Sequence, residues 1–345
     1  MTNNYKAVKF WPKIPHGIWL REATSVSVDS NDNVYVFNRG NVPLLIFDKN
    51  GNLKTSWGND DPFGEIKVEV IRIDYKLQTW EGSRFVRPHS ILLDYEDNIW
   101  CVDDSGHKIY KFDQNFELKL SLGDGNPAER ESGKPFNRPT DITINKKNGD
   151  LFISDGYGNS RIHHYDKEGN YIKSWGESGT GPGQFSLPHN ICMLGNDELI
   201  VCDRENHRVQ IFSTEGQFIK EWHVHKATAV TTDHKGNIFI AEQGPPPVQY
   251  GVKNLGHSVG IWDRDGNLLQ RLGAELPGEE PDQFLWPHSI SVDSKGRIFV
   301  AEVSYVEVGR TLNPPREMTS FRVWEPSVSY THLRAHETRE DRVCR

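Results

Sequence analysis

Arg138 to Gly176 reads RPTDITINKKNGDLFISDGYGNSRIHHYDKEGNYIKSWG, and its internal order recurs along the chain. Arg87 to Gly123 reads RPHSILLDYEDNIWCVDDSGHKIYKFDQNFELKLSLG, and Leu187 to Trp222 reads LPHNICMLGNDELIVCDRENHRVQIFSTEGQFIKEW. Each unit opens with an apolar strand and a polar turn of the Asp-x-x-Asn or Lys-x-Gly type. A second apolar strand follows (LFIS, NIWCV, ELIVC), then an acidic residue, a short loop and a third strand (RIHHYD, KIYKFD, RVQIFS). A Gly or Asn turn leads to a fourth strand that tends to end in Trp-Gly or Leu-Gly. Four short strands bounded by turn residues make one propeller blade.

Six such units are present. The first spans about Glu22 to Gly58, the fifth runs from Lys226 to Gly273, and the sixth begins at Trp286. This predicts an all-β, six-bladed propeller over residues 1–326. The sixth unit has no repeat-like fourth strand after Phe321, whereas Ala7–Trp11 (AVKFW) is strand-like and otherwise unpaired. An open sheet edge is a liability, so the N-terminal strand is expected to close the ring on blade six. Residues 327–345 lack strand periodicity and resemble a translated sequencing adaptor, which removes His332, His336 and Cys344 from consideration.

Composition agrees with this architecture. Of 345 residues, 36% are hydrophobic and 30 are Gly, as suits many short strands and tight turns. The net charge of −8 disfavours a nucleic-acid partner. No apolar run is long enough to span a membrane, and the N-terminus lacks the apolar core of a secretory signal, so a cytoplasmic location is expected. The cysteines show no CxxC pairing. Cys101 and Cys202 lie in apolar strands, where Cys acts as a small hydrophobe.

Aligning the units exposes an alternation at the start of the first strand: Thr24, His89, Thr140, His189, Thr228, His288. The histidines fall in blades two, four and six, and alternate blades stand about 120° apart in a six-bladed ring. Three imidazoles converging on the channel form a facial metal site with positions left open for water or substrate. Each follows a proline, which restrains the backbone and helps aim the ring. Packing at the strand start is the competing reading.

At the end of the second strand the units read Asn38-Arg39, Asp103-Asp104, Asp155-Gly156-Tyr157, Asp203-Arg204, Glu242-Gln243 and Glu302-Val303. The first member is acidic in five of six, which reads as a turn-capping carboxylate. Arg39 and Arg204 lie on opposite sides of the ring. They either hold a substrate carboxylate or pair with a neighbouring acid. Tyr157 sits in a glycine-flanked loop, where glycine lets the backbone present the ring freely. It is either a surface tyrosine or, since a phenol beside a divalent cation yields its proton more readily, a base. His107 and His207, before third strands, read as structural.

The segments VFNRG, RPHS, SDGYGNSRI, GPGQFSLPHN, DRENHRVQIF and WPHS resemble NHL repeats and, within them, peptidyl-α-hydroxyglycine α-amidating lyase and its bacterial relatives, over Trp11 to Trp324. The resemblance implies a zinc lyase that splits a C-terminal α-hydroxyglycine carbinolamide into an amide and glyoxylate. It implies His89, His189 and His288 as zinc ligands, Tyr157 as base, and Arg39 and Arg204 on the substrate carboxylate. It also implies a structural calcium held by an Asp after the third Pro-His. Here Ser289 stands at that position, with Ser90 and Asn190 after the other two, so calcium is disfavoured. The partner implied is a small-molecule or peptide substrate ending in an α-hydroxyglycine-like group. Two alternatives compete: a non-catalytic NHL platform, and a lactonase-like calcium hydrolase. The latter needs Glu, Asn and Asp ligands rather than three histidines.

Overall fold

A computed structural model describes residues 4–59, 84–132 and 135–327. The tail from 328 onward, with His332, His336 and Cys344, lies outside the described residues. Six four-stranded antiparallel sheets form a propeller, each ordered from the channel outward in chain order except the last. Blade four is representative, with strands Pro188–Leu194, Glu198–Asp203, Arg208–Ser213 and Phe218–His223. Its second strand is nearly all buried, while the outermost alternates between half-buried and exposed residues. That outer half-exposure explains the modest apolar content. Among the described residues no helix is long and apolar enough to cross a membrane.

The core lies between blades. Phe37, Leu44 and Ile46 of blade one pack on Phe85, Ile91, Ile99, Cys101 and Phe112 at blade two, and similar clusters join other neighbouring blades. Cys101 and Cys202 are free and fully buried within these contacts. Blade six holds Pro287–Val292, Ile298–Glu302 and Phe321–Pro326, and its outer strand comes from the N-terminus. The closing strand is Tyr5–Ala7, paired Tyr5 to Pro326 and Ala7 to Trp324, not Ala7–Trp11 as expected. The ladder ends at Val8, whose N–H donates to Val323 O. Beyond it Phe10 adopts φ 58° and is 91% exposed, which breaks the extended run. Trp11 turns into the core instead, with ring centroids 5.1 Å from Phe299 and 5.4 Å from Phe321.

The acids at the ends of the second strands fasten the segment that enters each blade. Asp103 accepts from the N–H groups of Val86 and Arg87, Asp203 from Ser186, and Glu302 from Trp286. In blade one Asn38 substitutes, taking the Glu22 N–H. These bonds fix the chain two or three residues before the His/Thr position.

Candidate metal centre

The alternating His/Thr position has one structural origin in all six blades. Pro88 pairs with Asp103 and Ser90 with Val102, so His89 is an extra residue that leaves the ladder. The same register shift falls at Thr24, Thr140, His189, Thr228 and His288. A β-bulge leaves its extra residue unpaired and re-aims the side chain. Here it points three imidazoles at the channel axis and frees three threonine carbonyls from the ladder.

Those carbonyls orient the imidazoles. His89 Nδ1 donates to Thr140 O at 2.6 Å, His189 Nδ1 to Thr228 O at 2.7 Å, and His288 Nδ1 to Thr24 O at 2.6 Å. Each histidine of an even blade is therefore locked to the next odd blade. A carbonyl only accepts, so Nδ1 carries the proton and Nε2 presents its lone pair. The three rings form a near-equilateral triangle, with centroids 5.1, 4.8 and 4.7 Å apart. One ligand atom from each lies within 4.8 Å of the others, and all three residues are buried. Burial first, then neighbouring histidines and arginines, holds His89 and His189 well below the ordinary imidazole range. Burial and Arg39 push His288 down to about 3. Three neutral, oriented nitrogen donors fit a divalent transition metal, and nothing else among the described residues forms a comparable cluster.

The threonine hydroxyls extend this framework. Thr140 Oγ1 donates to Pro188 O at 2.8 Å and Thr228 Oγ1 to Pro287 O at 3.1 Å, each steadying the residue before a ligand. For blade two that task falls to Arg39, whose Nε donates to Pro88 O at 2.9 Å.

Tyr157 is in the site and half-buried. Its hydroxyl lies 3.1 Å from both His89 Nε2 and His189 Nε2. The flanking glycines serve a different purpose from the one expected. Neither has a positive φ. Instead a Cβ on Gly156 would meet Pro188 O at 2.2 Å, and one on Gly158 would meet Asn137 Oδ1 at 2.1 Å. Close packing, rather than backbone freedom, sets the ring over the channel.

Arg39 and Arg204 both flank the triad, and both form ion pairs. Arg39 is 7% exposed, and its Nη1 reaches Glu22 Oε2 at 3.2 Å while its buried Nη2 has no hydrogen-bond partner. Arg204 Nε meets Glu205 Oε1 at 2.8 Å. Sequence reasoning missed three more charged groups here. Arg87 and Arg138 lie 5.8 and 4.8 Å from the Tyr157 ring centroid, and both bind the fully buried Asp104. Burial opposes ionisation of Asp104, but the guanidiniums of Arg87, Arg39 and Arg138 outweigh it and hold the carboxyl below its usual value. Both arginines belong to Arg-Pro pairs, which a sequence reading treats as turn punctuation.

One residue further along the first strands, Ser25, Ser90, Asp141, Asn190 and Ser289 hydrogen-bond from blade to blade. Ser289 Oγ accepts from Val26 N–H, and Ser25 Oγ from Ile91 N–H. Asp141 is engaged by Ser90, Asn190 and the Ile191 N–H. A carboxyl group is therefore present at this level in blade three, where burial pushes its pKa up to about 7 and its hydrogen bonds staple blades. His107 and His207 also have structural partners: their Nδ1 atoms accept the backbone N–H of Arg138 and Lys226.

Fold and site together define a six-bladed propeller built on NHL repeats, with a buried three-histidine centre. The NHL repeat family matches residues 136–165 and 185–212. The chain is similar to peptidyl-alpha-hydroxyglycine alpha-amidating lyase 1 of Drosophila melanogaster, 29% identical over 351 residues, covering 93% of this chain and 62% of that protein. It is 24% identical to peptidyl-glycine alpha-amidating monooxygenase A of Xenopus laevis, covering 96% of this chain but only 37% of the frog protein. It is also 26% identical to human NHL repeat-containing protein 3, over 86% of this chain and 81% of that one. Among solved structures, a streptogramin B lyase superposes with a TM-score of 0.52 at 16% identity, covering 87% of this chain and 81% of that one. The WD40 propeller domain of Doa1 superposes at 0.53 and 12%, covering 90% and 94%. Those two likenesses speak to the fold alone.

Proposed function

We propose that this chain is a zinc-dependent carbon–nitrogen lyase that cleaves an α-hydroxyglycine-type carbinolamide to an amide and glyoxylate. The observation that carries the reading is the Tyr157 hydroxyl, set 3.1 Å from two of three convergent, correctly tautomerised Nε2 atoms. Similarity to amidating lyases over most of the chain supports the same substrate class.

His89, His189 and His288 would hold the zinc, which when bound supplies a Lewis acid that makes the substrate hydroxyl more acidic. Tyr157, acting as the phenolate, accepts the hydroxyl proton and returns it to the departing amide nitrogen. The electron pair left by the O–H bond forms the C=O of glyoxylate as the C–N pair departs on nitrogen, so no outside reactant is needed. Arg39 and Arg204 orient the carboxylate, and the orphaned Nη2 of Arg39 offers it a buried N–H. The surrounding arginines favour an anionic substrate.

A non-catalytic NHL platform is the second reading, supported by similarity to NHL repeat-containing protein 3. A platform has no need of three ligand histidines oriented by backbone carbonyls. Elemental analysis of the parent and a His189→Ala variant separates the two, followed by assay of glyoxylate release from N-acyl-α-hydroxyglycines. One zinc per chain, lost in the variant together with turnover, is the expected result. A folded parent without stoichiometric metal or turnover would leave the platform.

A further inference from the structure

The hydroxyl and carboxylate of such a substrate point toward the histidines and arginines, so its third substituent, the N-acyl group, must leave the channel by another path. On the side of blades one to three, Arg39, Arg87 and Arg138 converge on Asp104. On the other side of Tyr157 a cavity of about 400 Å³ opens between blades three and four. Gly156, Tyr157, Gly179, Thr180, Leu187 and Asn206 are among its walls. Tyr157 thus belongs both to this cavity and to the site, where its hydroxyl lies 3.1 Å from two of the histidines. A second cavity of about 260 Å³, lined by Val252, His257 and Arg271, contains none of the site residues.

We infer that the groove between blades three and four is the subsite for the acyl side of the substrate, and that it takes an N-acyl group of one or two amino-acid residues. This rests on the lyase reading. The volume is within the range of small-ligand pockets. Glu205 pairs with Arg204 at 2.8 Å and Lys226 at 3.6 Å, while Arg130 Nη2 donates to the neutral Ser178 Oγ at 2.8 Å. The hydroxyls of Ser178 and Thr180, both on its lining, suit an amide.

The test compares KM for glyoxylate release from N-acetyl-α-hydroxyglycine and from a neutral dipeptidyl-α-hydroxyglycine, using the zinc-loaded full chain. The dipeptidyl compound should have a KM about tenfold lower in the parent, a preference reduced to about twofold or less in Thr180→Trp and independently in Ser178→Trp. Val252→Trp, at the remote cavity, should keep the full preference. Release without acyl preference in the parent, or a preference untouched by both groove variants, would overturn the subsite and leave the lyase reading intact. No release from even the N-acetyl compound would remove that reading and the subsite with it.

Discussion

Replacing Asp104 by Asn tests the charge arrangement around Tyr157. The carboxylate is fully buried, bonded to Arg87, 3.2 Å from Arg138 Nη2 and 3.9 Å from Arg39 Nη2. Removing one partner of a buried pair costs about 3–5 kcal/mol. The lower end applies, because the Arg138 side chain is 37% exposed and can turn to water, and Arg39 keeps Glu22. At an m value of about 3 kcal/mol/M the urea midpoint should fall by about 1 M at pH 7, with m unchanged. The pH dependence carries the sign. A carboxyl held below its unfolded value of about 3.9 contributes stability that is complete above that value and lost as pH falls through the folded one. The gap between parent and variant should therefore be constant above about pH 5 and narrow by about 1 kcal/mol by pH 3. A loss below about 1 kcal/mol at pH 7, or a gap unchanged at pH 3, would refute the electrostatic account.

Tyr157→Phe should lower kcat by about 10²–10⁴-fold while leaving bound metal, measured by elemental analysis, unchanged. Thr140→Val removes the hydroxyl proton shared between Pro188 O and Ser154 O, and should cost about 1–2 kcal/mol in urea unfolding and about tenfold in metal affinity by competition with a chelator. Trp11→Ala empties a partly buried site against Phe47, Phe299 and Phe321, and should cost about 2–3 kcal/mol by the same unfolding assay.

Much of this architecture is legible in the amino-acid order because a propeller repeats. The starts of the blades, the Pro-His alternation and the capping acids all recur at one period, so each can be checked against five others. What escapes notice is whatever depends on two strands at once. The bulge at His89 exists only relative to Asp103 and Val102 across the ladder, and a single strand does not announce it. Asp104 joins arginines from three blades, which sequence spacing does not bring together. The Gly156 and Gly158 positions were legible, but their reason, contact with Pro188 and Asn137, is a property of the assembled ring. The sequence places the closing strand a few residues late because AVKFW is strand-like in composition, whereas only Ala7 of it pairs in the sheet.

The bonds from imidazole to threonine carbonyl make the centre resemble a three-jaw chuck. Each jaw is mounted across a joint between blades: two to three, four to five, six to one. The last of these spans the joint between the first and last blades, and blade six is the one that the N-terminal strand completes. If that joint loosens, His288 loses its orienting carbonyl while the other two jaws hold. A cation that needs all three would then work as a clamp, favouring the closed ring by mass action. Its release rate would report on a seam at the opposite end of the chain from two of its ligands.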